Sequence, residues 1–460
     1  VETLSVTDAS FLHIESDRVQ MHIGGVSIFE GPPPPLEDVA AMVRGKLPRV
    51  PRYRQKVRFM PLGVGRPVWV DDPHFNLDYH LRHTALPSPG GEEELRRLTG
   101  RIMSQQLDRA KPLWEMWMVE GLDDDRWALV NKVHHCMVDG VAATDLLSVM
   151  LDSDPHAAPG PDDHWLAAGE PGDAELLVGS LAGTLRPREV VAELAEAARR
   201  PRRTFDQARA ALGSLIAARG FLKPVSSSLT GTVGPHRRWS WASADLADVK
   251  RIRKDLGGTV NDVVLAAIAR GFRDLILARG ESVVDRNVRT MVPVSVRSSD
   301  QHGEYNNRVS AIFADLPVGV DDVQVALLDI HAQMADLKSS EKAVAGEVLT
   351  SLGGFAPSML LALGARAVAR APQLTFETCT TNVPGPQNAL YATGRRMVAS
   401  YPYIPIASPV RIVVGIFSYD GQLTFGVTGD YDSAPDIDVL CAGIEAGIAE
   451  MLTETTAAAA

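Results

Sequence analysis

The chain has 460 residues, 45% of them apolar and 22% charged, with a formal net charge of −11. This length and composition describe a globular protein with more than one core, and the acidic balance argues against nucleic acid as a partner, because a phosphate backbone calls for a basic surface. Three cysteines, Cys136, Cys379 and Cys441, are too few for a disulfide framework and lack paired metal-ligand spacing, which points to a reducing, cytoplasmic compartment; the acidic, mixed opening VETLSVTDASFLHIESD does not have the pattern of a signal peptide.

From Met21 to Gly31, MHIGGVSIFEG reads as a strand ended by the turn-forming run Pro32 to Pro35. Leu36 to Leu47 has helical spacing, and RPVWVDD, from Arg66, reads as another strand. A helix is expected from Glu92 to Leu107, with Leu95, Leu98, Ile102 and Met103 as its apolar positions. WEMWMVEGL, from Trp114, and RWALVNKVHH, from Arg126, read as two strands joined by the acidic turn Asp123 to Asp125. GVAATDLLSVMLD, from Gly140, reads as a helix, and the Pro-, Gly- and Asp-rich stretch from Ser153 to Gly172 as a linker or surface excursion. Leu185 to Lys223 is helical and basic, with nine Arg and Lys against four Asp and Glu.

The C-terminal half begins near Arg237. HRRWSWASADLADVKRIRKDLG, from His236, reads as a strand and a capped helix. TVNDVVLAAIARGFRDLILARG, from Thr259, is an amphipathic helix with Asn261 and Asp262 in its first turn. RTMVPVSVR, from Arg289, is a strand with Arg297 at its exit, and a helix is expected from Asp322 to Lys338. The uncharged run Val348 to Ala365 only just reaches transmembrane length and is interrupted by Gly353, Gly354 and Pro357. It reads as two short buried helices, with an apolar wall for a lipid chain or a bilayer contact as the alternatives. FETCTTNV, PVRIVVGIF and QLTFGVTGDY are further strands, and the last helix is expected from Ile437 to about Met451, with the Ala-rich tail after Thr453 frayed. Strands and helices alternate in both halves, which predicts two α/β domains packed together.

The chemistry concentrates in HHCMVDG, from His134. The apolar run Trp127 to Val133 delivers His134 and His135 to a strand end, and Gly140 permits a tight entry into the next helix. Function gathers at such junctions in α/β proteins. A histidine there can serve as general base, taking a proton from an attacking group and handing it to the leaving group. Other readings stay open at this point. Both histidines could ligate a metal, although strand neighbours point to opposite faces. His134 could be a packed structural residue. Cys136 beside His135 could be a nucleophile, although adjacent residues rarely achieve that geometry.

HHCMVDG resembles the HHxxxDG signature of CoA-dependent acyltransferases and condensation domains. PLWEMWMVEGL from Pro112, TVNDVVLAAIARG from Thr259, MVPVSVR from Met291 and TNVPGP from Thr381 narrow the resemblance. With the opening LSVTDASFLHIES, the set is similar to the bacterial wax ester synthase/diacylglycerol acyltransferase family over nearly the whole chain.

The resemblance implies two chloramphenicol-acetyltransferase-like domains, each a mixed sheet with helices, with the active-site channel between them. Residues 1–185 would form the motif-bearing domain, 186–236 a basic helical crossover, and 237–460 the second domain. His135 would be the base. Asp139 would turn away from the reacting centre and pair with Arg297, Gly140 would serve backbone conformation, and His134 would support the loop or line the channel. Asn261 and Asp262 match the family's ND element; a cap and a site role are compatible. Thr380, Thr381 and Asn382 would supply an oxyanion donor, and Pro112, Leu113 and Trp114 would shape the acyl or alcohol channel. No DFGWG-type element, which some relatives of the fold carry, is present, so the residues that bind CoA are not assigned.

The implied reaction is direct transfer from acyl-CoA to diacylglycerol or a fatty alcohol, with no covalent acyl-enzyme, metal or other cofactor. The basic region and the uncharged run would suit CoA phosphates, an inner membrane face or a lipid droplet. A carrier-protein-dependent condensation-type acyltransferase and a non-catalytic lipid-binding protein of the same fold are the alternatives.

Overall fold

The computed structural model describes residues 2–61, 65–137, 147, 149–158, 160, 165–176, 227–295, 309–339 and 376–458. The basic region Leu185 to Lys223 and the uncharged run Val348 to Ala365 lie outside them, as do Asp139, Gly140 and Arg297. Of the helix expected after the motif, residues 147, 149 and 150 are described and helical.

Three sheets organise the described residues. The smallest is antiparallel, β1 (Glu2–Thr3), β4 (Val68–Asp71) and β3 (Gln55–Arg58), with β4 in the middle. The first large sheet has the order β12 (Tyr391–Ala392), β13 (Arg395–Tyr403), β2 (His22–Phe29), β7 (Arg126–His134), β6 (Trp114–Leu122), β5 (Leu81–Ala85). Its pairs are antiparallel except β5 with β6. The second large sheet has the order β10 (Val309–Leu316), β9 (Val288–Ser295), β11 (Thr378–Pro384), β14 (Ile412–Tyr419), β15 (Gln422–Asp430), β8 (Arg237–Asp245). There β11 runs parallel to both neighbours and the other pairs are antiparallel. Both large sheets are therefore mixed, as expected for an α/β fold.

The helices are α1 (Val6–Ile14), α2 (Leu36–Lys46), α3 (Leu77–His80), α4 (Glu92–Ser104), α5 (Leu246–Leu256), α6 (Val260–Ala278), α7 (Val323–Ser339) and α8 (Ile437–Ala458). Local chemistry explains the best-predicted of them. In α4, Leu95, Ile102 and Met103 are buried at helical spacing, and the Gly91 N–H donates to the Glu94 carboxylate at 3.1 Å. The β6–β7 turn places Asp124 and Asp125 at φ 56° and 53°, a left-handed conformation that aspartate tolerates better than most residues. The last helix runs on to Ala458, past the point where fraying was expected. Alanine is the best helix former, and Met451 and Thr455 are buried.

One feature of the expected domain division is corrected. Residues 391–403 come from the C-terminal half, yet β13 pairs with β2 and so belongs to the motif-bearing sheet. This crossing strand stitches the two large sheets. The Trp239 indole donates to the Pro402 carbonyl at 3.1 Å, the Thr424 hydroxyl donates to the Ser400 carbonyl at 2.7 Å, and Trp241 stacks on Tyr401 with centroids 4.7 Å apart. Gly426 makes room for the crossing: a Cβ there would lie 1.7 Å from the Pro402 oxygen.

Candidate active site

The register of β7 against β2 sets the site. His134 is the last residue of β7 and pairs with His22; His135 opens a 3-10 turn, His135–Met137. The two histidines therefore leave the strand differently. The His134 N–H donates to the Leu113 carbonyl at 2.9 Å and the His135 N–H to the Met21 carbonyl at 2.8 Å. The His134 ring is buried, and its Nδ1 accepts the Cys136 N–H at 3.1 Å. Its Nε2 faces Glu15 Oε1 at 3.6 Å. Through the Nδ1 contact to the Cys136 backbone, the buried ring is a support for the turn.

The His135 ring is half-buried and stacks on Phe11, with centroids 3.9 Å apart at 27°. Burial lowers its pKa to about 4; a contact with its own backbone works against that shift, and His134 adds to it. The imidazole is accordingly neutral at pH 7. Cys136 packs in the small core with Leu4, Leu12, Trp69 and Leu113. Burial pushes its thiol well above the ordinary range, which removes the thiolate that a cysteine nucleophile needs.

Four residues around this turn escaped the sequence reading: Phe11, Glu15, His22 and Arg109. Glu15 is buried at the end of α1. Its Oε1 lies 3.5 Å from His22 Nε2, and its Oε2 accepts from Arg109 Nη2 at 2.7 Å and Nε at 3.1 Å. Burial alone would raise its pKa; His134, Arg109 and His22 reverse that and hold it at about 2. The signal was present in FLHIES, where Phe11 and Glu15 stand one helical turn apart and thus on one face.

Several expected site residues have structural partners. Pro112, Leu113 and Trp114 are buried in the N-terminal half, where side chains can pack behind a channel but are not exposed on it. Trp114 stacks on both Tyr53 and His80, and its indole donates to the Tyr53 carbonyl at 2.8 Å. Aromatic stacking and a satisfied indole are how a buried tryptophan locks a strand. Asp262 caps α6: its Oδ2 accepts the Thr259 N–H at 2.8 Å, the Thr259 hydroxyl accepts the Asp262 N–H at 3.2 Å, and His331 Nδ1 sits 2.8 Å from the same Oδ2. Asn261 is half-buried beside it.

The threonines of β11 divide by face. The Thr380 hydroxyl is buried and bonded to the Thr290 hydroxyl at 2.9 Å, so it is already engaged within the second sheet. Asn382, two residues on, shares that face. Thr381 points the other way, in register with Gly415, where a Cβ would meet Ile404 and Pro402. That is the side facing the crossing strand. Cys379, two residues before it on that face, packs against the same small core as Val19 of the loop after α1. The same loop is tied to the second sheet by Gln20 Nε2, which donates to the Pro235 carbonyl at 3.3 Å, and by Arg237 Nη2, which donates to the Arg18 carbonyl at 2.6 Å. A cavity of about 340 Å³ opens in the seam between Arg96, Trp241, Tyr401 and Glu445, and His135 is not among its lining residues. Among the described residues no helix is long and apolar enough to cross a membrane.

Two stitched mixed sheets with a paired-histidine turn at the end of a central strand define the fold shared by acyltransferases and condensation domains. The first condensation domain of the calcium-dependent antibiotic synthetase superposes with a TM-score of 0.59 at 16% identity, covering 98% of this chain and 96% of that one, a likeness of fold. A wax ester synthase/diacylglycerol acyltransferase from Marinobacter aquaeolei VT8 superposes with a TM-score of 0.73 at 27% identity, covering 99% of this chain and all of the other. The probable diacylglycerol O-acyltransferase Tgs1 of Mycobacterium tuberculosis is 36% identical over 452 residues, 98% of this chain and 95% of that protein. The wax ester synthase/diacylglycerol acyltransferase catalytic domain matches residues 4–264, and the C-terminal domain of the same family matches residues 305–452. The chain belongs to this family and is an acyltransferase.

Proposed function

We propose that the protein moves a long-chain acyl group from acyl-CoA to the hydroxyl of diacylglycerol, of a fatty alcohol, or of both, with His135 as general base. The observation that carries this reading is the state of His135: a neutral imidazole, clamped against Phe11, whose Nδ1 is buried without a hydrogen-bond partner among the described residues. Nε2 takes the hydroxyl proton as oxygen attacks the thioester carbonyl. The tetrahedral oxyanion collapses, the carbon–sulfur bond breaks, and the proton on Nε2 passes to the departing thiolate. A base with a pKa of about 4 is weak. It takes the proton as negative charge develops on the nearby oxyanion and stabilises the imidazolium.

Thr381 is the donor we assign to that oxyanion, because its side chain lies on the face of β11 turned toward the crossing strand, whereas the Thr380 hydroxyl is bonded to Thr290. Asp139 and Arg297 are assigned to hold the loop, and Gly140 to its backbone. No metal or further cofactor enters this scheme. The substrates live in lipid, so we place the protein on the inner membrane face or on lipid droplets. Flotation with anionic vesicles tests that placement, and a protein that never floats overturns it.

The decisive experiment follows acyl-CoA consumption with diacylglycerol and hexadecanol as alternative acceptors, for wild type and His135→Ala. The variant should lose roughly 10²–10⁴-fold in turnover with its fold intact. Full turnover by the variant overturns the assignment of the base.

A further inference from the structure

We infer that Glu15 is a positioning residue that fixes His135 from both sides of its peptide chain, through His134 and through Met21. This rests on the reading of His135 as the base. Glu15 Oε1 faces His134 Nε2 at 3.6 Å, and His134 Nδ1 accepts the N–H of Cys136, the residue after His135. The same Oε1 accepts the Met21 N–H at 3.4 Å, and the Met21 carbonyl accepts the N–H of His135 itself. A third contact comes from the same helix end. The Glu15 N–H donates to the Phe11 carbonyl at 3.1 Å, and Phe11 carries the ring on which His135 stacks.

The chemistry of the His134 ring gives this arrangement its direction. A nitrogen that accepts a backbone N–H cannot carry a proton of its own, so the His134 proton belongs on Nε2, the nitrogen facing Glu15. An ionised carboxylate favours that tautomer. With the proton on Nδ1, two donors would face each other at Cys136, and the turn carrying His135 would have to shift. A displacement of about 1 Å at a reacting group can cost on the order of 100-fold in rate. Glu15 can be trusted to stay ionised because cationic and polar groups surround it from every packed element. Arg109 approaches from the segment after α4, His22 from β2, and His134 from the end of β7, with Lys132 fully buried two residues before His134 on the same face. Arg109 also donates to the Leu12 carbonyl at 2.9 Å, which pins the end of α1 and therefore Glu15.

The test has two parts. In the wild-type protein, nitrogen NMR of the imidazoles should find the His134 proton on Nε2; a proton on Nδ1 overturns the inference without any variant. Glu15→Gln keeps the shape of the side chain and removes its charge. It should lower kcat by roughly 100-fold with KM changed by less than about threefold, and the NMR signature of His134 should change with it. A folded Glu15→Gln protein with turnover within about twofold of wild type overturns the inference. If that variant does not fold, the wild-type tautomer decides. His135→Ala run alongside separates the two ideas. Full activity there removes the base, whereas an inactive His135→Ala with a fully active Glu15→Gln removes the positioning role alone.

Discussion

On the helix-covered face of the second sheet, Ile412, Val414, Ile416 and Phe425 meet α6 and α8 in one continuous aliphatic core. The polar side chains buried on its central strands there are small hydroxyls: Thr290 and Thr380 bond each other, Thr378 donates to the Ile412 carbonyl at 2.9 Å, and Ser418 accepts the Gly385 N–H at 3.2 Å. The first sheet is packed differently. On one face of β2 and β7, His22, Lys132 and His134 are all buried, and Glu15 and Glu115 close over them. Lys132 has no solvent exposure; burial lowers its pKa to about 8 against the pull of Glu115 and Glu15. Burying such groups costs several kcal/mol each before pairing, and apolar residues of similar volume often do as well or better for stability. The second sheet shows what this fold uses when only packing matters. The charged layer under the first sheet is therefore best explained by its neighbour, the turn that carries His135.

That contrast can be broken from the apolar side first. Phe272 is fully buried in the second core. Phe272→Ala should cost about 3–5 kcal/mol of stability, seen as a lower melting temperature, with kcat per folded molecule unchanged. A kcat loss beyond the loss of folded protein would show that the second core also tunes the site.

The next largest effect separates two adjacent hydroxyls. Thr381→Val should lower kcat by roughly 10²–10³-fold with little change in melting. Thr380→Val leaves the buried Thr290 hydroxyl without its partner and should cost roughly 1–3 kcal/mol of stability, with kcat nearly unchanged. If the two variants exchange these behaviours, the assignment of faces on β11 is wrong.

A smaller effect lies where α6 and α8 cross. A Cβ on Gly271 would come within 2.6 Å of the Leu440 carbonyl oxygen and 2.9 Å of Ile444, and a Cβ on Gly443 within 2.7 Å of the Gly271 Cα. Gly271→Ala should therefore lower stability by about 1–3 kcal/mol through overpacking, again without touching kcat. An unchanged melting temperature would mean that the helices separate easily.

What the sequence made legible follows the same divide. Period-2 and period-3.6 patterns located β2, β6, β7, α4 and α6, because those elements bury a face against their own domain. A capping role for Asp262 was legible for the same reason, its partner being three residues away; that partner is Thr259, whereas the sequence motif pairs Asp262 with Asn261. β13 went unread. Its sequence, RRMVASYPY, alternates only loosely, because it packs between two sheets, and nothing local announces pairing with β2 some 370 residues earlier. The motif marked His134 and His135, yet their separation into a support and a reacting group depends on where β7 ends. Glu15 and Phe11 reach them only through tertiary packing. Trp114 shows what the motif alone leaves open: a residue with buried stacking partners reads in sequence just like one that touches substrate.

The smallest expected effect is a near-absence of change, and it tests the burial of His135 directly. The catalytically competent form is the neutral ring. With a pKa of about 4, that form dominates at pH 5.5, so kcat/KM per folded molecule should keep at least roughly nine-tenths of its neutral value there; a histidine at its ordinary pKa of about 6.5 would keep only about one-tenth. Stability must be followed alongside, because the same burial works against the fold in acid. His135 and His22 both titrate below the ordinary histidine range, so the unfolded chain binds protons that the folded chain refuses. The stability they permit is complete above about pH 6.5 and is lost as the pH falls, for His135 down to about 4. Glu15 acts lower, because its carboxyl is held at about 2 against an ordinary 4.5: its contribution is complete above about 4.5 and lost as the pH falls toward 2. His135→Gln has no ring to protonate, so its stability should fall less steeply between pH 6.5 and 4 than that of wild type. Wild-type kcat/KM per folded molecule that halves near pH 6.5 would mean that water reaches the ring freely, and the dry, Phe11-stacked setting could not be what keeps the base neutral.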